Sequence, residues 1–199
     1  MTQAGEHALH PAFQEDHYLF RRKVFKLFGG AFHVYDEQGR VVLYSKQKAF
    51  RLKEDFRVYA DERQLDELLV IKTPQILDIG ATYHVEDAAR GEQVGALRRK
   101  ALKSILYDSW VYLGPDGEEL GRLEETSFLG AIGSRLINLI PQKYRAVTGD
   151  ERRVARLNRH FNPFVLKYTM RIEDADPPID RRLLIASGIL LAAIERRQQ

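Results

Sequence analysis

The chain has no cysteine. That excludes a disulfide framework, thiolate metal sites, thiol catalysis and S-acylation, and makes a reducing, cytoplasmic setting the expected one. Long apolar runs are missing too. The longest uncharged stretch near the C-terminus, Leu183–Ile194, has twelve residues, whereas crossing a bilayer takes roughly twenty. Residues 1–17 show no basic stretch followed by an apolar one, so no secretory signal peptide is expected. Gly29-Gly30 does not extend into G-x-G-x-x-G, and no P-loop, H-E-x-x-H or G-x-S-x-G motif occurs, which leaves nucleotide binding and the common hydrolytic chemistries without support. A large excess of one sign of charge is missing as well: 31 Lys and Arg against 28 Asp and Glu leave a net +3, a bias that permits contact with anionic surfaces without requiring it.

Among the 199 residues, 44% are hydrophobic and 30% charged, the composition of a globular domain rather than a disordered or fibrous chain. Four segments resemble one another: HVYDEQGRVVLYSK from His33, VYADERQLDELLVIK from Val58, YHVEDAARGEQVGALRRK from Tyr83 and WVYLGPDGEELGRLEE from Trp110. Each reads as strand, turn, strand, with turns at Gly39, near Arg63, and at Gly91 and Gly117, a spacing of roughly 26 residues that suits paired short strands. Phe164, Leu166, Tyr168, Met170 and Ile172 alternate with more polar positions, as a half-buried strand requires. Further strands are predicted at Ala49–Lys53, Ile76–Ile79, Leu102–Tyr107 and Tyr144–Val147. The total, about twelve, exceeds what an open twisted sheet usually carries, so closure into an antiparallel β-barrel is expected.

A C-terminal helix over 180–196 is predicted, with Asp180 as N-cap. Arg181 and Arg182 in its first turn oppose the helix dipole. Leu183, Leu184, Ile185, Ile189, Leu190, Leu191 and Ile194 leave it without a polar face, so protein or lipid must enclose it. Its length, about 18 Å for the apolar part, fits the lumen of a small barrel better than a bilayer. The expected fold is therefore mainly β: a closed barrel enclosing one hydrophobic helix. Residues 1–17 are read as a flexible arm and 18–199 as a single domain.

The order of hairpins, basic tracts, alternating strand and all-apolar terminal helix resembles the LURP-one-related and phospholipid scramblase-like proteins, relatives of the Tubby C-terminal domain. The resemblance runs from about Tyr18 to Arg196 and implies a twelve-stranded barrel around a central helix, here Arg182–Ile194. Scramblases also carry a lipidated cysteine cluster and an acidic calcium segment. This chain has neither: the corresponding region, NRHFNPFVLKYTM, holds no carboxylate, so a calcium role is not carried over.

No metal, cofactor or catalytic residue is assigned. His7, His10 and His17 near Glu6, Glu15 and Asp16 form a conceivable metal clip, but a terminal arm lacks the rigid support such sites use. His33, His84 and His160 read as wall residues. Two surface features remain. The basic residues Arg98, Arg99, Lys100 and Lys103, with Arg152 and Arg153, are candidates for anion or lipid binding. SFLGAIGSRLINLI from Ser127 is predicted as an inserted amphipathic helix around 127–140, with Phe128, Leu129, Ile132, Leu136 and Ile140 on one side, either packed on the barrel or offered to a membrane or protein partner. The function expected is non-enzymatic: a binding module for anionic lipid headgroups at the membrane periphery. A protein-interaction scaffold is the alternative, and an enzyme with an external cleft a third. No specific nucleic-acid partner is expected.

Overall fold

The computed structural model describes residues 8–23, 31–47, 55–74, 80–100, 109–126, 142–160, 162 and 165–194. Twelve strands run in chain order: β1 (His17–Lys23), β2 (Ala31–Tyr35), β3 (Val41–Gln47), β4 (Asp55–Tyr59), β5 (Glu67–Lys72), β6 (Thr82–Asp87), β7 (Glu92–Lys100), β8 (Ser109–Leu113), β9 (Glu119–Glu125), β10 (Lys143–Thr148), β11 (Arg153–His160) and β12 (Val165–Ile172). Each is antiparallel to its sequence neighbour, and β12 returns to pair with β1, which closes the barrel. The strand expected at Tyr144–Val147 is the body of β10. Those expected at Ala49–Lys53, Ile76–Ile79 and Leu102–Tyr107, and the inserted helix around 127–140, lie outside the described residues.

Short turns join β2 to β3, β4 to β5, β6 to β7, β8 to β9 and β10 to β11 at one end of the barrel. Gly39 and Gly117 take positive φ there (77° and 84°), a conformation nearly free of cost only to glycine. In the second hairpin the left-handed residue is Gln64 (φ 59°), one position past the expected turn centre. Alternation then sorts side chains between wall and lumen. Tyr18, Phe20, Phe32, Phe56, Tyr83, Tyr112 and Tyr168 point inward and are buried.

The lumen holds α1 (Arg181–Ile194). Every described side chain from Leu183 to Ala193 is buried, as an apolar helix without a polar face must be. Two close approaches explain its small residues. Gly188 lies under the Phe20 ring, where a Cβ would stand 2.5 Å from Cζ. Ser187 accepts a hydrogen bond from the Tyr112 hydroxyl at 2.9 Å and donates to the Leu184 carbonyl at 2.6 Å, which satisfies two hydroxyls that burial would otherwise leave unpaired.

Arginines close both ends of the helix. At its N-terminus the Asp180 carboxylate accepts from the Arg182 backbone N–H, the cap expected. The Arg182 side chain, nearly buried, donates to Asp87 and Glu92 at 2.6 Å each and to Asp180 at 2.7 Å. Burial by itself lowers this guanidinium's pKa, but those hydrogen bonds and charges hold it above the usual arginine value. The apparent conflict with the helix dipole is thus resolved by carboxylates from the β6–β7 hairpin. Arg181 donates to the carbonyls of Phe13 and Glu15 and to the Asp16 carboxylate. Of the segment read as a flexible arm, residues 8–17 are therefore part of the fold: Phe13 is buried in a 3₁₀ turn, Pro11–Phe13, under the barrel end, and His10 accepts from the Ala12 N–H. At the opposite end Arg22 points inward from β1, donates to the carbonyls of Ala192 and Ala193 at 3.3 and 3.0 Å, and covers the Phe32 ring. It satisfies carbonyls that the last helical turn leaves open.

Candidate anion-binding surfaces of the barrel wall

With the lumen filled, chemistry is left to the outer wall and the two rims. The rim at the N-terminus of α1 carries the short turns, and its charges are largely matched. Asp36 pairs with Arg40, Asp61 with Arg63, and Glu151 with Arg122. Arg152 and Arg153, two of the candidate anion binders, pair with Asp174 and Glu173. Both arginines are exposed, but their charge is already answered.

Arg98, Arg99 and Lys100 sit elsewhere. They end β7 at the other rim, and three strands separate β7 from β11. The structure therefore does not bring the two basic groups together. Arg98 and Lys100 are exposed and without an ion-pair or hydrogen-bond partner for their side chains among the described residues. Arg99 lies 5.9 Å from the centre of the Trp110 ring, a cation–π distance. Lys103 lies outside the described residues, as do Phe128, Leu129, Ile132, Leu136 and Ile140.

Three further cations near the same rim lack partners among the described residues: Arg21 on β1, Lys167 on β12 and Lys143 on β10. Arg21 and Lys167 are direct cross-strand neighbours. His33 stands beside Arg21 on the one side and His160 beside Lys167 on the other. Of the tract Arg21-Arg22-Lys23, Arg21 faces out while Arg22 faces in. The alternation of β12 already placed Lys167 on the outer face, yet its neighbours come from β1 and β11, far away in sequence.

A second surface lies nearer the turn-bearing rim. Across β10, β11, β12 and β1 the register sets Arg145 opposite Arg156, Arg156 opposite Arg171, and Arg171 opposite His17. Like charges directly opposite destabilise a sheet. Arg145 is answered by Glu124 at 2.6 Å and Arg156 by Glu173 at 3.2 Å. Arg171 has no partner among the described residues. Glu124 is held by both Arg122 and Arg145: burial raises its carboxyl, but their hydrogen bonds more than offset this and bring its pKa below the usual 4.5.

A closed antiparallel barrel with an apolar helix through its axis defines the class of helix-filled barrels. Residues 41–192 match the model of the LURP-one-related family, and the chain belongs to that family. The wider scramblase-like and Tubby-like kinship read from the sequence is consistent with this match. No curated protein matches the chain. Among the described residues no helix is long and apolar enough to cross a membrane.

Proposed function

We propose that this LURP-one-related barrel binds rather than catalyses, and that it docks on an anionic membrane surface through the rim around the C-terminus of α1. The observation that carries this reading is the set Arg21, Arg98, Lys100, Lys143 and Lys167: five cations at one rim, none with a partner among the described residues, while the carboxylates of the other rim are largely taken up by arginines. Three stretches of chain between strands, 24–30, 48–54 and 127–141, lie outside the described residues. Their sequences, VFKLFGG (24–30), KAFRLKE (48–54) and SFLGAIGSRLINLIP (127–141), mix apolar and basic residues as interfacial segments do. They include the stripe from Phe128 to Ile140.

The experiment is co-sedimentation with phosphatidylglycerol-containing vesicles, whose anionic headgroup has no amine, at increasing salt. A basic residue near such a surface contributes about 1 kcal/mol, so the triple variant Arg98→Ala, Lys100→Ala, Lys167→Ala is expected to bind roughly a hundred-fold more weakly. Binding of the wild type should also fall as salt screens the charges. Vesicle binding indifferent to salt and to these substitutions, with melting unchanged, overturns the proposal.

A further inference from the structure

The row of arginines borders a groove of about 300 Å³ on the outside of the barrel, and its two walls differ in charge. Arg156 and Arg171 form one side. Glu37, from the β2–β3 turn, and Asp16 belong to the other, with His17 between them and Asn158 and Thr169 completing the lining. Thr169 is hydrogen-bonded to the His160 ring. Three polar groups here are unspent. Arg171 and Glu37 have no partner among the described residues, and Nδ1 of His17 is buried without one. Arg156 engages Glu173 through its Nε, which leaves its terminal nitrogens available.

We propose that this groove binds a small phosphorylated amine, with the phosphate on Arg156 and Arg171 and the ammonium toward Glu37, since the Asp16 carboxylate is already held by Arg181. Arg156 and Arg171, direct cross-strand neighbours, are a like-charge pair whose repulsion an anion relieves, and a phosphate with several oxygens can accept from both guanidiniums at once. A free carboxylate across the same groove selects a ligand that also carries positive charge. The volume is that of a small-molecule site at the lower end of the usual range. The inference does not depend on membrane docking at the opposite rim, and anionic vesicles lacking an amine headgroup test that reading separately.

Isothermal titration with phosphoethanolamine, inorganic phosphate and ethanolamine tests the groove. Phosphoethanolamine is expected to bind saturably and more tightly than either fragment. Arg171→Gln should weaken phosphoethanolamine and phosphate alike by about ten-fold. Glu37→Gln should bring phosphoethanolamine down to the affinity of phosphate and leave phosphate itself unweakened. Neither side chain has a partner to lose, so neither variant should melt below the wild type, and Arg171→Gln, which removes a like-charge neighbour of Arg156, should melt at or slightly above it. Phosphatidylcholine vesicles with and without phosphatidylethanolamine distinguish the source: retention that needs the amine lipid and is lost in Arg171→Gln identifies a headgroup, and binding of the soluble compound alone identifies a free metabolite. Absence of saturable phosphoethanolamine binding, equal affinity for phosphate in the wild type, or indifference to both substitutions overturns the proposal.

Discussion

Gly188→Ala places a single methyl group where the fold has no room, and its effect can be worked from the distances. The added Cβ would stand 2.5 Å from Cζ of Phe20 and 2.8 and 2.9 Å from its two Cε atoms. Phe20 cannot easily yield, because it is 1% exposed and flanked across the sheet by Tyr168 and Val34, both buried. Overpacking costs about 1–3 kcal/mol, and contacts of 2.5, 2.8 and 2.9 Å with a buried ring put this case at about 2–3 kcal/mol, of which replacing a mid-helix glycine by alanine returns about 1 kcal/mol of helix propensity. The net loss should be about 1–2 kcal/mol, or a melting temperature lower by about 2–8 °C. Phe20→Leu removes the colliding atoms at a cost of about 1–2 kcal/mol of lost burial. In that background Gly188→Ala should become neutral or stabilising. Urea unfolding followed by circular dichroism, run as a double-mutant cycle, reads the coupling directly. Additive substitutions, or an alanine variant as stable as the wild type, would refute the packing of α1 against β1.

Arg182→Met leaves the buried Asp87 carboxylate without its main cation, and breaking such a pair should cost about 3–5 kcal/mol; Asp87→Asn in the same chain should restore part of the loss, and a single variant that unfolds at the wild-type urea concentration would contradict the arrangement. For Glu124, a lowered carboxyl pKa means that its stabilising contribution is complete above the unfolded-state value and lost as pH falls through the folded one. Glu124→Gln should therefore cost about 1 kcal/mol at neutral pH and flatten the stability curve below pH 4.5, and acid unfolding curves that run parallel for the two proteins would count against it.

Features with local causes were legible in the sequence. Gly39, Gly91 and Gly117 announced hairpins because a left-handed residue is needed where they stand, and the alternation from Leu166 to Ile172 announced β12 because one face had to be apolar. The terminal helix was legible in composition, since nothing but enclosure accommodates it. What stayed illegible depends on closure. The groove takes 156 and 158 from β11 and 169 and 171 from β12, which pair as neighbours in sequence, and only the pairing of the first strand with the last sets residue 17 beside them. The role of Arg182 was hidden for the same reason: its partner Asp87 lies 95 residues away. Arg22 was illegible too, because an inward arginine has no reading in sequence until the helix carbonyls it serves are in place. Proximity in sequence did not show that carboxylates just beyond β12, Glu173 and Asp174, pair with Arg153 and Arg152.

This division between lumen and wall has a functional consequence. Arg22, Arg181 and Arg182 spend their donors on backbone carbonyls and nearby carboxylates, so they are components of the fold, and substituting them changes stability first. Arg21, Lys167 and Arg171 spend theirs on nothing among the described residues, so substituting them leaves the barrel nearly unchanged while altering its field. Adjacent positions such as Arg21 and Arg22 should therefore separate cleanly: the first moves vesicle binding at constant melting temperature, the second moves melting temperature. A barrel in which both substitutions changed the same observable would not be one whose interior is given over to holding a helix and whose exterior is free to recognise a ligand.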